Sequence, residues 1–172
     1  YATNSLGTSY SPVSIFTTLP SATTVTVSAP SITYGGDASV TVTVNAVGGI
    51  PTGSIDLTVD NGSPSSHTLE NGSFTVLVSA LVAGSHGLVA HYAAQGDLAE
   101  SSITGTVFVN QAPLTVTTND QTKFYGQNNT DLNGTLAGIV GDDNISVSYS
   151  SLGSSAIAGV GIYEIVAALS DN

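Results

Sequence analysis

Apolar residues occupy every second position over long stretches of this 172-residue chain. Val40, Val42 and Val44 alternate with Ser and Thr, and Ile55 and Leu57 repeat the pattern after a Gly-rich turn. Successive side chains of a β-strand point to opposite faces, so strict alternation predicts strands with one buried and one solvated face. The bulk of the remaining residues, Thr, Ser, Gly and Asn, also favours strands and turns. The chain is therefore predicted to be all-β.

Turn signals divide residues 21–110 into short strands. Asn61-Gly62 and Asn71-Gly72 are typical hairpin turns. About seven strands at a spacing of roughly ten residues indicate a β-sandwich of the immunoglobulin type. The predicted strands are centred on Val25–Val27, Val40–Val44, Ile55–Val59, the edge segment His67–Leu69, Phe74–Val78, His86–Tyr92 and Ile103–Val109.

A sharp corner is predicted to precede the strand that ends at Tyr92. Immunoglobulin-type sandwiches carry a Tyr at this corner, and its hydroxyl group bonds to nearby backbone. His86 takes that position here, between Gly84 and Leu88. An imidazole can make the same tie, because one ring nitrogen can donate and the other accept. We expect a structural role for His86, since a catalytic role would need partners that the sequence does not provide.

Charge excludes two classes of partner. The chain has 12 acidic residues against one basic residue, Lys123, and a net charge of -11. Binding of nucleic acid requires Lys and Arg to neutralise phosphates, and anionic lipid surfaces attract basic segments. We therefore expect neither nucleic acid nor membrane as a partner. The chain also has no Cys, which excludes disulfides, thiolate metal sites and a cysteine nucleophile.

A search for catalytic patterns predicts no catalytic, cofactor-binding or metal-ligating residue. His67 is placed in an edge segment and His91 on an outward face, and the chain has neither a Gly-x-Ser-x-Gly elbow nor a phosphate-binding loop. Asp56 and Asp60 form the best carboxylate pair, but four residues of one strand separate them by about 13 Å. Glycosidase pairs lie about 5 to 9.5 Å apart. Both are expected to be solvated outward charges.

Two further kinds of chemistry stay open. Calcium prefers carboxylate and carbonyl oxygens, and the densest acidic cluster is Asp142-Asp143-Asn144, with Asp120 and Asp97 elsewhere. Turn formation explains these residues more simply, so no cofactor is expected, although calcium remains possible. A buried Lys beside an acid could form an amide with Asn, but Lys123 is predicted to flank Phe124 in a strand.

Residues 21–110 resemble the bacterial Ig-like repeat of type 3 or 5, which occurs in tandem in surface proteins. The resemblance implies a sandwich and an extracellular location. The segment lacks the Cys pair and the core Trp of antibody domains, so the resemblance implies the same architecture and no further property of antibody domains. The matching motifs are Thr33-Tyr34-Gly35, Val40–Val44, Pro51-Thr52-Gly53, Leu69–Gly72, Leu81–Tyr92 and Gly96-Asp97.

The flanking segments resemble other modules. Residues 1–20, with Asn4 and Gly7 at a turn, are similar to the closing hairpin of a bacterial fibronectin type III domain, and the other strands of such a domain are not in the chain. Residues 111–172 resemble the YGX-type MBG repeat, which normally continues by one or two strands, so this domain is expected to be C-terminally incomplete. Its matching motifs are Leu114–Thr118, Thr122–Gly126, Gly134–Asp142 and Gly159–Ile165.

These features predict a non-enzymatic structural module of a bacterial surface or secreted fibrous protein. One hypothesis is that residues 1–18 of one copy complete the C-terminal domain of the next, giving a head-to-tail filament. The alternative is that the chain is a piece of a longer tandem array. Expected partners are therefore neighbouring copies or adjacent domains. A different possibility is an adhesin that binds surface glycan or a host protein, with Phe108 and Tyr10 as the exposed aromatic residues.

Overall fold

A computed structural model of the chain describes residues 2–171 and is built almost entirely of strands. Tyr1 and Asn172, the outermost residues of the predicted segments 1–20 and 111–172, lie outside the described residues. The all-β prediction is confirmed. The strands are β1 Ala2–Asn4, β2 Gly7–Ser9, β3 Thr23–Ser28, β4 Ile32–Thr33, β5 Ala38–Ala46, β6 Ser54–Val59, β7 Ser65–Thr68, β8 Ser73–Val78, β9 Gly84–Tyr92, β10 Ser101–Asn110, β11 Thr115–Thr118, β12 Gly134–Ala137, β13 Ile145–Ser150 and β14 Val166–Asp171.

Strands β3 to β10 form a two-sheet sandwich. One sheet has the order β3-β5-β8 and the other the order β4-β10-β9-β6-β7. All pairs are antiparallel except β4, which runs parallel to β10. The sandwich therefore has eight strands instead of about seven, because the two-residue β4 adds to the edge beside β10. The edge position expected for His67 is confirmed, since β7 ends its sheet.

The core of the sandwich consists of the residues that alternate in the sequence. Val40, Val42 and Val44 of β5 and Leu88 and Tyr92 of β9 are almost fully buried and belong to one cluster. On β9 the alternating residues Val89 and His91 face outward, whereas Ala90 between them is buried with the core. The inward parity predicted for both strands is confirmed. The Tyr92 hydroxyl group, although buried, donates to the carbonyl oxygen of Thr52 at 3.1 Å, so its polar end is satisfied.

The two predicted Asn-Gly turns differ in the structure. Asn71 and Gly72 both have positive φ (52° and 80°), as a two-residue hairpin requires, and this prediction is confirmed. At the other turn the positive values belong to Asp60 and Asn61 (50° and 58°), one residue earlier than expected. Asp60 consequently lies in a turn after β6, so the prediction that Asp56 and Asp60 share one strand is wrong.

The C-terminal residues 111–171 form two separate antiparallel pairs, β11 with β12 and β13 with β14. A 3₁₀ turn, Leu152–Ser154, lies between the last two strands. Among these described residues only Gly153 is buried, so no apolar side chain of this unit reaches the buried state found in the sandwich. The strand predicted around Lys123 and Phe124 is wrong, because no strand lies between Thr118 and Gly134.

The N-terminal residues contain one small hairpin. Strands β1 and β2 pair from Ala2 with Ser9 to Asn4 with Gly7. The Asn4 side-chain oxygen accepts from the Leu6 amide at 2.9 Å, and Gly7 has a φ of 141°. Residues 10–20 form no strand. The hairpin is confirmed, and its resemblance to a fibronectin type III domain stays a prediction.

Adjacent residues of β9 provide a direct test of this packing. Leu88→Ala removes a buried side chain and should lower the free energy of unfolding by about 2 to 5 kcal/mol. Val89→Ala removes apolar surface at a position that is 37% exposed and should lower it by less than about 1 kcal/mol. Urea unfolding of the whole chain, followed by far-UV circular dichroism, measures both values. Equal losses for the two variants would contradict the assigned faces.

Candidate functional site

His86 is the one buried ionisable side chain that the sequence analysis singled out. It lies at the start of β9, on the inward face, and is 6% exposed. Its Nε2 atom lies 2.7 Å from the carbonyl oxygen of Val82, four residues earlier. That bond ties the corner to its own strand, which is the role predicted for the imidazole. The prediction for His86 is confirmed.

The second ring nitrogen has a partner that the sequence analysis missed. The Nδ1 atom of His86 lies 2.5 Å from Oδ2 of Asp60. The other carboxylate oxygen of Asp60 accepts from the Gly87 amide at 2.8 Å, and the Asp60 amide donates to the Gly87 carbonyl oxygen at 2.9 Å. Asp60 is exposed, as predicted, but its carboxylate is bound at the corner, which the sequence analysis missed. The positive φ of Asp60 turns its side chain back onto the corner.

These contacts determine the charge state of the pair. The Val82 carbonyl oxygen can only accept, so Nε2 must donate, and the ionised carboxylate also requires a donor at Nδ1. His86 is therefore an imidazolium paired with a carboxylate. The hydrogen bond to Asp60, followed by that to Val82, raises the pKa of His86 against the opposing effect of burial. The bond to His86 lowers the pKa of Asp60.

The geometry at His86 supports a structural role. A general base needs a free nitrogen within reach of a substrate proton. Both nitrogens of His86 are engaged, one by backbone and one by a carboxylate. The bonds join the turn after β6 to the turn before β9, and those strands are neighbours in the five-stranded sheet. The pair therefore attaches these two turns to each other at one end of the sheet.

The other two histidines lie apart from this corner. The ring of His67 stacks on Phe74, with centroids 4.5 Å apart and an angle of 7° between planes. Since β7 and β8 belong to different sheets, this stack covers one open side of the sandwich. His91 is exposed, as predicted, and lies opposite Asp56 in the β6–β9 register.

The acidic residues considered for calcium are scattered in the structure. Within residues 2–171 no group of three or more His, Asp or Glu side chains is arranged to hold a metal ion. Asp143 is half-buried and accepts a hydrogen bond from Tyr34, whereas Asp142 and Asn144 are exposed. Asp97 contributes only a backbone carbonyl oxygen, which accepts from the Ser21 amide. The expectation that the chain has no cofactor stays a prediction, with calcium as the open alternative.

Lys123 is held by backbone. Its Nζ atom donates to the carbonyl oxygens of Gln127 at 3.1 Å and Ser155 at 2.9 Å. It lies in the loop between β11 and β12 and is only half-buried. An amide cross-link would require an Asn or Asp side chain at this ammonium group, and these two carbonyl groups occupy its near surroundings instead.

The C-terminal unit contains a cleft that the sequence analysis did not foresee. Its volume is about 690 Å³, and Asp120 and Lys123 line it together with Tyr125 and Tyr163. Apolar side chains line it as well, including Leu132, Val160, Ile162 and Ile165. Polar side chains and Glu164 complete the lining, so the cleft is mixed in character and not predominantly apolar. No helix within the described residues is long and apolar enough to cross a membrane.

The ion pair at the corner makes stability dependent on pH. His86 has a raised folded pKa, so its stabilisation is complete below its unfolded value of about 6.5 and is lost as pH rises through the folded value. Asp60 has a lowered pKa, so its contribution is lost as pH falls through that value. The free energy of unfolding should therefore fall as pH rises above about 6.5 and through the raised folded pKa of His86.

The variant His86→Phe should be less stable than the natural chain by about 1 to 3 kcal/mol at pH 6, because Val82 and Asp60 lose their donor. It should also lose most of the pH dependence, measured by urea unfolding at each pH. His91→Asn is the matched control and should keep it, since His91 is exposed. An unchanged slope in His86→Phe would contradict the charged pair.

Comparisons with known families agree with this architecture. The family model for the bacterial Ig-like domain (group 3) matches residues 23–110, and that for the MBG domain (YGX type) matches residues 114–172. No curated protein and no solved structure gave a match. Both domains are modules typical of bacterial surface proteins and are not known as enzymes. The chain belongs to the bacterial Ig-like (group 3) family, with an MBG domain of the YGX type following its Ig-like domain.

Proposed function

We propose that the chain is a non-enzymatic structural module of an extracellular bacterial protein, in which neighbouring copies associate head to tail. In this proposal residues 11–20 of one copy, which form no strand in the structure, become extended and bind the C-terminal unit of the next by adding a strand. The observation that carries it is the exposure of apolar side chains in both segments. These side chains lie in residues 11–20 and beside the open strand edges of the C-terminal unit.

The N-terminal segment 11–20 exposes large apolar side chains to solvent. Val13, Ile15 and Phe16 are 91%, 89% and 90% exposed, and Leu19 is also exposed. Val13 and Ile15 would share one face of an extended chain. Burial of apolar surface stabilises by about 25 cal/mol per Å², so two such side chains offer a substantial gain to any partner that covers them.

The C-terminal unit offers a matching surface. Each of its strands pairs with a single neighbour, so each pair has open edges. Two-stranded sheets are marginal by themselves, and open edges accept further strands. Val160, Ile162 and Val166 are exposed near or within these pairs, and the first two line the cleft. An extended apolar segment would cover both the edge and these side chains.

Charge is compatible with this arrangement. Residues 11–20 contain no acidic or basic residue, whereas the chain as a whole has a net charge of -11. A neutral segment can approach an acidic neighbour without local repulsion. A contact between two different surfaces of the same chain does not close on itself and produces linear assemblies.

Sedimentation velocity over a range of protein concentrations tests the association. The chain should form species whose masses are multiples of 17.2 kDa, and the double variant Val13→Ser, Ile15→Ser should shift them toward monomer. Val47→Ser is the matched control, because Val47 is an exposed apolar residue of the Ig-like domain, and it should leave association unchanged. A monomer at every concentration, or equal association of all three proteins, would refute head-to-tail binding by this segment.

A second candidate function is that of an adhesin. Its support is the pair Tyr125 and Tyr163 in the cleft, since sugars stack on exposed aromatic rings. The expected exposure of Phe108 and Tyr10 is confirmed, but they do not line this cleft.

A glycan array separates the adhesin from the structural module. An adhesin should bind a defined set of glycans, and Tyr125→Ala should abolish that binding. Tyr10→Ala, outside the cleft, serves as the control and should retain it. We expect no glycan binding if the cleft receives a protein strand, so a specific glycan signal lost only in Tyr125→Ala would favour the adhesin.

A further inference from the structure

A turn of the Ig-like domain contacts a loop of the C-terminal unit. The Tyr34 hydroxyl group, just after β4, donates to Oδ1 of Asp143 at 2.9 Å. Asp143 belongs to the loop between β12 and β13. The two residues are 109 positions apart, so this hydrogen bond joins the two domains directly.

Tyr34 is held where the chain leaves the Ig-like domain. Its amide donates to the carbonyl oxygen of Asn110 at 2.8 Å, which continues the parallel β4–β10 pairing by one step. The Asn110 side-chain amide in turn donates to the Ile32 carbonyl oxygen at 3.0 Å. Because β10 ends at Asn110, these bonds attach the backbone of Tyr34 to the start of the linker to β11.

The next residue provides space for the loop. Gly35 has a φ of 89°, and a Cβ atom added there would overlap the Val140 side chain. Only Gly adopts this conformation without strain, and only Gly leaves room for Val140. A Cβ atom at Gly138 would likewise overlap the carbonyl oxygen of Pro113 in the linker. The loop therefore packs closely on both the turn and the linker.

Asp143 differs from its acidic neighbours in a way that fits this contact. It is half-buried, and its amide donates to the Val140 carbonyl oxygen at 3.2 Å, which closes the loop. Asp142 on one side and Asn144 on the other are exposed. The hydrogen bond to Asp143 raises the pKa of Tyr34, so the phenol keeps the proton that it donates.

We infer that Tyr34 and Gly35 form a docking surface for Val140 and Asp143, and that this junction latch fixes the angle between the Ig-like and MBG domains. The linker itself is short, but a short linker alone limits the angle without selecting one value. A polar bond and an apolar contact on one side of the linker select one orientation. The latch would make two tandem modules a rigid spacer, which goes beyond their association with neighbouring copies.

Distance measurements between spin labels test the latch in the full chain. The chain has no Cys, so Ser39→Cys in β5 and Thr135→Cys in β12, both exposed positions, place one label in each domain. The labelled chain, diluted with an excess of unlabelled natural chain so that only labels within one copy are measured, should give a single narrow distance distribution by double electron–electron resonance. Tyr34→Phe, which removes the donor, and Asp143→Ala, which removes the acceptor, should each broaden it, and Gly35→Val, which displaces Val140, should shift it as well.

The controls separate the latch from general damage. Asp142→Asn changes the exposed neighbouring acid and Tyr125→Phe removes an exposed phenol elsewhere, so both should keep the narrow distribution. Far-UV circular dichroism and urea unfolding check that each variant retains the sandwich, and Val140→Ser replaces Gly35→Val if the latter fails to fold. A broad distribution in the natural chain would overturn the inference. An unchanged distribution in Tyr34→Phe and Asp143→Ala would do the same.

Discussion

The burial of one face of each strand in the sandwich is the constraint on which the other features depend. The core contains neither a disulfide nor a Trp, because the chain has no Cys and no Trp. Val40, Val42 and Val44 on β5 and Leu88 and Tyr92 on β9 fill the space between the sheets with mostly small side chains. A shift of either strand by one residue would expose this set and bury Ser, Thr or His instead. The register is therefore fixed by the loss of apolar burial that every alternative would bring.

The His86 corner adds an electrostatic tie to this packing. A Tyr at the same place would offer one hydroxyl group, whereas the imidazolium of His86 donates twice, to Val82 and to Asp60. The imidazolium therefore bonds to acceptors in two turns, whereas the single O–H of a phenol could donate to only one of them. Stability at this corner is consequently linked to pH, and the same bonds leave no nitrogen for chemistry.

Local patterns were predictable from the sequence, and contacts between distant loops were not. The parity of β5 and β9 follows from a two-residue period, and the corner role of His86 follows from its offset from Gly84. The Asp60 contact depends on positive φ at Asp60 and Asn61, which shifted the turn by one residue from the Asn-Gly pair. The Tyr34–Asp143 bond depends on how two domains are placed, which no local period encodes. The sequence predicts a strand around Lys123 because Phe124 and Tyr125 have high strand propensity. That propensity reflects the packing of a side chain on a half-buried sheet face, whereas the side chains of Phe124 and Tyr125 are exposed, so the segment forms a loop.

The two halves of the chain differ in what stabilises them. The Ig-like domain buries its own apolar side chains, whereas the described MBG residues bury only Gly153. Regions with few buried apolar contacts open at lower free energy than packed cores. We expect contacts outside the MBG unit to contribute to its order, and the junction with Tyr34 is one such contact on the side of the Ig-like domain. In the proposed assembly a neighbouring strand would provide another, because it would cover Val160 and Ile162. Order in the second domain would thus report on assembly, while the first domain would remain folded whether or not a neighbour is bound.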